Sequence, residues 1–363
     1  MKNIMAFGSY TAIFAIGSYT SEPHHEIARV KVDARDGAIT AMAPICGVGS
    51  PIFFAKNKAG DRLYAAQTPE PDSDRLSHGA VAAYSVDGDF DARRIGLVEF
   101  PFSVPCHISL THDGSKLLFA EYSGAHAGAI AINADGGFGK VAIVHHEGSG
   151  PNKKRQASAH CHCAIASPDD RLMFVCDLGT DTVNAYGLDS FPTLAPRHDL
   201  DFHAEPGLGP RHMLFDASGR HAYIVYELGS AVQALSYEDG RLSPLQEPLS
   251  MLPRDFTGET KAAAIRISPC GKWLLASNRG HDSIAAFKIN DDGTLCPTPV
   301  ISPLTGHFPR DFAFVNGECL IVGHKLSDNV GLYRFNPANG AIARMDATFE
   351  MTRPLAFVKA GND

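Results

Sequence analysis

The stretch Pro105-Cys-His-Ile-Ser-Leu-Thr-His-Asp-Gly-Ser-Lys-Leu-Leu-Phe-Ala-Glu121 reads as a β-hairpin. A short apolar strand opens after a proline, Asp113-Gly114 supplies a tight turn, and a second apolar run, Leu117 to Ala120, ends on a charged residue. The same outline returns five more times. Pro51-Ile-Phe-Phe-Ala turns at Ala59-Gly60 and ends at Gln67; His162-Cys-Ala-Ile turns at Asp169-Asp170 and ends at Asp177. Pro210-Arg-His-Met turns at Ser218-Gly219 and ends at Glu227; Ala263-Ala-Ile-Arg turns at Cys270-Gly271 and ends at Asn278; Pro309-Arg-Asp-Phe turns at Asn316-Gly317 and ends at His324. The turns at 60, 114, 170, 219, 271 and 317 are 54, 56, 49, 52 and 46 residues apart. A period near fifty is that of a four-stranded propeller blade, and 363 residues accommodate seven of them.

The chain therefore reads as a single all-β domain over residues 1–363, a seven-bladed β-propeller with four antiparallel strands per blade. The seventh blade must be assembled from both ends. Pro354-Leu-Ala-Phe-Val supplies its first strand, Ile13-Phe-Ala-Ile-Gly-Ser-Tyr-Thr its second and Ile27-Ala-Arg-Val-Lys-Val its third. Closure of this kind removes the exposed sheet edges that template aggregation. A pair of β-sandwiches or barrels would not require a fifty-residue period. Gly-Ser-Tyr-Thr occurs twice, at 8–11 and 17–20, so residues 1–12 read as an N-terminal extension that mimics the true first segment. Its single lysine and interrupted apolar run make a poor export signal.

Composition agrees. The 34 glycines and 23 prolines are spread along the chain, as many short strands require, and exclude a helical bundle. A net charge of -8, with no basic run longer than Lys153-Lys154-Arg155, argues against nucleic acid. No apolar run is long enough for a membrane helix. The eight cysteines form no Cys-x-x-Cys pair, and most sit in apolar runs; they read as reduced core residues of a cytoplasmic protein, monomeric or weakly dimeric.

In a repeat, the informative residues are those that vary where the scaffold is constant. One such series opens the inner strand: Ile52, Cys106, His162, Arg211, Ala263, Arg310. Another closes the neighbouring strand: Gln67, Glu121, Asp177, Glu227, Asn278, His324. In an antiparallel hairpin both positions meet at one rim, so the channel mouth receives His162 beside Asp177, Arg211 beside Glu227 and Arg310 beside His324. Salt bridges stapling the blades would account for the carboxylates, but poorly for the surplus of arginines and histidines. His160 and His162, alternating with Cys161 and Cys163, should share one strand face. A metal site from His160 and His162 with Asp177 or His107 is the weaker reading; a substrate-binding or proton-transferring pair is the better one. Arg279, just past Asn278 and before Gly280, leans over the same mouth, together with Arg211-His212 and Arg310-Asp311. Guanidinium groups clustered there suit carboxylate or phosphate.

The stretches from Gly148 through Arg155 to His162, Asp177-Leu-Gly-Thr-Asp, Gly209-Pro-Arg-His, Tyr226-Glu-Leu-Gly-Ser, Ser277-Asn-Arg-Gly-His-Asp and Pro309-Arg-Asp-Phe resemble the lactonase family of seven-bladed propellers. That family includes the propeller type of 6-phosphogluconolactonase and the fungal-type 3-carboxy-cis,cis-muconate lactonizing enzyme. The resemblance covers residues 13 to 358 and implies a cofactor-free site of one His, two Arg and a Glu. Matched motif by motif, these fall on His162 (with His160 its rival), Arg211, Glu227 and Arg279. Substrate contacts then fall on Arg155, His160, Asp177, His212, Arg310 and His324. Two departures stand out: Ala264, where an acidic residue near the rim is expected, and Cys270, in place of an aspartate before the turn glycine.

The expected activity is hydrolysis of a sugar lactone such as 6-phosphogluconolactone, with Glu227 or His162 taking a proton from water and an arginine holding the oxyanion. The same groups suit a muconate cyclase, whose tricarboxylate substrate is also anionic. A propeller that only presents a rim to protein partners should expose aromatics there, whereas the single tryptophan, Trp273, reads as core. A redox propeller would need a haem or quinone motif, and none is legible.

Overall fold

The computed structural model describes residues 10–18, 26–46, 49–69, 77–87 and 91–361. Seven antiparallel sheets follow the repeat. Blade 1 begins with Phe53–Lys56, Arg62–Gln67 and Gly79–Val86, and blade 2 with His107–Leu110, Lys116–Glu121 and His126–Ile132. Blade 3 starts at Cys161–Ala166 and Leu172–Asp177, blade 4 at Pro210–Phe215 and His221–Tyr226, blade 5 at Lys261–Ile267 and Trp273–Arg279, and blade 6 at Pro309–Asn316 and Cys319–His324. Blade 7 joins Pro354–Lys359 to Thr11–Ser18, Glu26–Asp33 and Ala38–Cys46. The first strand of every blade touches the first strand of the next, and that of blade 7 returns to blade 1, so the ring is closed.

Seven apolar clusters fill the seven gaps between successive blades. Between blades 1 and 2, for example, Tyr64, Val81, Phe100, Ile108 and Phe119 are buried together. Each large side chain sealed there contributes about 1.5–3 kcal/mol, and the alternation of apolar residues on both strand faces follows from having a neighbour on each side. Trp273 lies in the gap between blades 5 and 6, its indole N–H donating to the Pro337 carbonyl at 2.9 Å. The hairpin turns of blades 1 to 5 take a left-handed residue, as with Gly114 at φ 71°. In blade 3 that residue is Asp170, at φ 57°, and its carboxylate repays the backbone by accepting the His112 and Asp113 amides of blade 2 at 2.7 and 2.8 Å.

Three expectations need correction. Thr11 and Ala12 belong to blade 7 rather than to an extension, because Thr11 pairs with Asp33 and Ala12 packs in the gap between blades 6 and 7; residues 1–9 lie outside the described residues. Cys270 is exposed at a turn, and Cys106 and Cys296 are partly so, whereas Cys161, Cys163, Cys176 and Cys319 are buried. All seven are free thiols, and the side chain of Cys46 lies outside the described residues. Finally, Cys161 and Cys163 do not share a face: Cys161 packs between blades 2 and 3, Cys163 between blades 3 and 4.

Candidate active site

The reason for that last correction also builds the site. In blade 3 the register slips between Cys161 and Cys163, in blade 4 between Pro210 and His212, in blade 6 between Pro309 and Asp311. Each slip is a β-bulge, and the extra residue is His162, Arg211 or Arg310. In blades 1 and 2 the amides of Ile52 and Cys106 double up on Ala66 and Ala120, which already pair with Phe53 and His107. A bulge re-aims one side chain out of the pleat, and repeating it at one level of the ring aims a whole set at the channel. Blade 5 slips by more, from Ala262 to Ile265. The carbonyls there anchor two arginines: Ala263 accepts Arg211 Nη1 at 2.6 Å and Ala262 accepts Arg279 Nη2 at 2.7 Å.

The second series behaves unevenly. Glu121 turns back on its own strand end, accepting the amides of Ser123 and Gly124 at 2.7 and 2.9 Å and His126 Nδ1 at 3.0 Å. Asp177 does the same with Gly179, and also takes the His160 amide and His146 Nδ1, the last at 2.8 Å. Gln67 accepts Tyr84 Oη, while His324 is engaged by Asn329 and Tyr333. Glu227 is different. The amide of Gly229, the counterpart of Ser123 and Gly179, already donates to the Leu208 carbonyl at 3.0 Å and is not available to the Glu227 carboxylate. It points into the cavity, where Oε1 receives Arg155 Nη2 at 2.6 Å and Oε2 receives Arg211 Nε at 2.9 Å and Arg279 Nη2 at 2.7 Å. His162 Nε2 stands 3.9 Å from Oε2.

This hub lines a cavity of about 420 Å³ at the channel mouth, which also receives Cys106, Tyr122, Lys261, Arg310 and Lys325. Among the described residues, neither Arg310 nor the Lys261 ammonium has an ion-pair partner. Counting Arg211 behind the wall, six cationic side chains stand around one carboxylate among the described residues. Burial pushes the Glu227 carboxyl up, but the guanidiniums of Arg279, Arg211 and Arg155 outweigh it and hold it well below the usual carboxylate range. Burial, then Arg211, holds His162 well below the ordinary imidazole range, so its ring is neutral. Burial and the adjacent Arg279 also weaken the hold of Arg310 on its proton. Cations crowded this way, out of water, call for an anionic guest.

Of the ten side chains singled out in the sequence, His162, Arg211, Glu227, Arg279, Arg155 and Arg310 converge here. Four do not. Asp177 is spent on His146 and the blade 3 turn, and His324 on Asn329 and Tyr333. His160 stacks on Tyr122 with centroids 4.2 Å apart and binds its carbonyl through Nδ1, so it holds a cavity wall without lining it. His212 sits behind Arg211, edge-on to His162 and His107. Ala264 is buried between blades 5 and 6, away from the mouth. Tyr122 and Lys325 had gone unmarked; each directly follows a rim residue, Glu121 or His324, and that adjacency was the available signal. Lys261 had no such signal.

For metals, the closest donor set among the described residues is His146, Cys161 and Asp177, within 4.8 Å of one another. Both His146 nitrogens are already engaged, Nδ1 by Asp177 and Nε2 by Tyr186 Oη at 2.9 Å. The group is a hydrogen-bond chain inside blade 3 and has no spare imidazole nitrogen for an ion.

A closed seven-bladed ring with a cation-rich mouth defines the class, and comparison with known proteins gives the family. Residues 13–359 match the model for "Lactonase, 7-bladed beta-propeller". The chain is 34% identical to an uncharacterized protein of Lactococcus lactis over 90% of its own length and 93% of that protein. It is 29% identical to the 6-phosphogluconolactonase of Bacillus subtilis, over 94% and 96%. The fold matches the periplasmic gluconolactonase of Pseudomonas aeruginosa with a TM-score of 0.88 at 26% identity, covering 97% of this chain and all of that one. It matches a putative 6-phosphogluconolactonase from Bacteroides fragilis with a TM-score of 0.85 at 25% identity, covering 97% and 98%. The chain belongs to the lactonase family of seven-bladed β-propellers.

Proposed function

We propose that the protein hydrolyses a phosphorylated sugar lactone, 6-phosphogluconolactone, to the open-chain acid. The observation that carries this reading is the excess of cations at the mouth: after Arg155, Arg211 and Arg279 have met Glu227, Arg310 and Lys261 make no ion pair among the described residues. A phosphate dianion supplies it, and bidentate guanidinium contacts suit its oxygens. The name carried by the Bacillus relative supports the same substrate.

The chemistry follows from which group is able to accept a proton. Glu227, held by three guanidiniums, is a poor base, and its task is to fix those guanidiniums and the His162 ring. His162 is neutral and faces the cavity, so it takes the proton of the attacking nucleophile. Burial lowers its basicity and the positive field of Arg211 and Arg310 lowers it further; the arriving dianion offsets that field, so the base gains strength when substrate is bound. A guanidinium then holds the carbonyl oxygen as it gains charge.

The test is turnover by purified protein of 6-phosphogluconolactone, δ-gluconolactone and 3-carboxy-cis,cis-muconate, each above its spontaneous rate. We expect kcat/KM for the phosphorylated lactone to exceed that for δ-gluconolactone by about tenfold or more. Equal values would remove the phosphate from the reading. Turnover of the muconate alone would replace hydrolysis by cyclisation at the same site.

A further inference from the structure

The bulge that aims His162, Arg211 and Arg310 at the channel does the same in blade 2 for a residue of a different kind. Cys106 lines the cavity, and its Sγ lies 3.8 Å from His162 Nδ1. The other imidazole nitrogen, Nε2, faces Glu227 Oε2 at 3.9 Å. Thiol, imidazole and carboxylate thus stand in line across three blades, with the imidazole in the middle. The tautomer with Nε2–H toward Glu227 is the one that frees Nδ1 to accept from the thiol, and it is the one that proton transfer from Cys106 requires. The carbonyls of Cys161 and His162, at 3.7 and 3.5 Å from Sγ, fix the sulfur on that side of the ring. This places a nucleophile beside a base, with a carboxylate facing the far nitrogen of that base.

We propose that Cys106 is the nucleophile of the reaction, attacking the lactone carbonyl to form an acyl-thioester on the enzyme; this rests on the lactonase reading above. Cys106 Sγ bonds to the carbonyl carbon while its proton passes to His162 Nδ1, and the carbonyl oxygen takes up the electron pair against the arginine cluster. The ring C–O bond then breaks, and His162 returns the proton to the leaving alkoxide, which becomes the hydroxyl of the opened sugar. Water, deprotonated by His162, attacks the thioester; the C–S bond breaks and the sulfur recovers its proton. The sum is lactone plus water to hydroxy acid, with no oxidant or reductant. Burial pushes the resting thiol up to about 12. The thiolate is therefore not stored in advance, and proton transfer to His162 must accompany attack.

Two measurements on the whole protein decide the matter. The first needs no substrate. Iodoacetamide labelling, followed by peptide mass mapping, is compared between Cys106 and the exposed Cys270, which serves as an internal standard. We expect inorganic phosphate to protect Cys106 but not Cys270, and His162→Ala to slow Cys106 labelling by about tenfold relative to Cys270. Labelling at Cys106 that ignores His162 would overturn the dyad. The second measurement uses 6-phosphogluconolactone with acid quenching. Wild type should carry a mass increment of one substrate on the Cys106 peptide. Cys106→Ala should lose the adduct and about a thousandfold in kcat, and Cys106→Ser, which keeps the shape, controls for folding. Cys106→Ala with kcat within about threefold of wild type overturns the nucleophile and leaves the lactonase reading standing. No turnover of any lactone by wild type, with His162-dependent labelling intact, overturns the lactonase reading instead and leaves the activated thiol supported.

Discussion

Replacing Glu227 by glutamine keeps the shape of the hub and removes its only negative charge. Arg211 is 2% exposed and Arg279 5% exposed, so neither guanidinium recovers its hydration when its carboxylate partner goes. Breaking a buried pair from one side costs about 3–5 kcal/mol, because the remaining charge is left uncompensated. At about 2.1 cal/mol/K of unfolding entropy per residue, a chain of 363 residues loses about 1.3 °C of melting temperature per kcal/mol. The variant should therefore melt about 4–7 °C below wild type in a calorimetric or fluorescence scan. The same argument fixes the sign of an anion effect. With one negative charge fewer, the mouth binds inorganic phosphate more tightly than wild type does, so at one fixed phosphate concentration the variant gains more stability, about 2.7 kcal/mol where that concentration is a hundred times its Kd. A variant that melts within about 1 °C of wild type would refute the claim that Glu227 neutralises buried cations. So would a variant that gains no more from phosphate than wild type does.

Arg310→Ala should raise KM for the phosphorylated lactone by about ten- to a hundredfold and change δ-gluconolactone turnover far less, since Arg310 makes no ion pair within the hub among the described residues; equal losses on both substrates would place Arg310 at the reacting carbonyl. Acid should destabilise the fold. Burial, then Arg211, keeps His162 and His212 neutral in the native state, well below their unfolded value of 6.5, so the unfolded chain binds more protons as pH falls through that value. At pH 5.5 this costs about 1–2 kcal/mol per histidine, about 3 kcal/mol together, read as a lower urea midpoint than at pH 7.5. Gly128→Ala should cost about 1–3 kcal/mol or more, because a Cβ there would sit 2.1 Å from the Ala142 carbonyl and 2.8 Å from the Phe119 ring. An unchanged urea midpoint would mean that the third strand of blade 2 shifts freely.

The seven blades were legible because a blade is written locally. Its hairpin, turn residue and apolar alternation fall within a few tens of residues, and periodicity converts six such hairpins into a ring, with the ends of the chain left to close it. Arg211, Glu227 and His162 were legible for a related reason: they break a pattern that the scaffold otherwise keeps, and Arg279 follows directly on the rim position of Asn278. The fates of the carboxylates were not. Glu121, Asp177 and Glu227 occupy one repeat position, and only the third reaches the cavity, because the Leu208 carbonyl has already taken the Gly229 amide behind it. That is a contact of the folded loop, and nothing at position 227 announces it. The faces taken by Cys161 and Cys163 depended in the same way on a single-residue register slip, which reverses the alternation that a strand period of two predicts. The alignment of Cys106, His162 and Glu227 joins residues 56 and 65 positions apart in the chain. Sequence spacing within a blade specifies which residues arrive at the rim, but the angle between blades decides which of them meet.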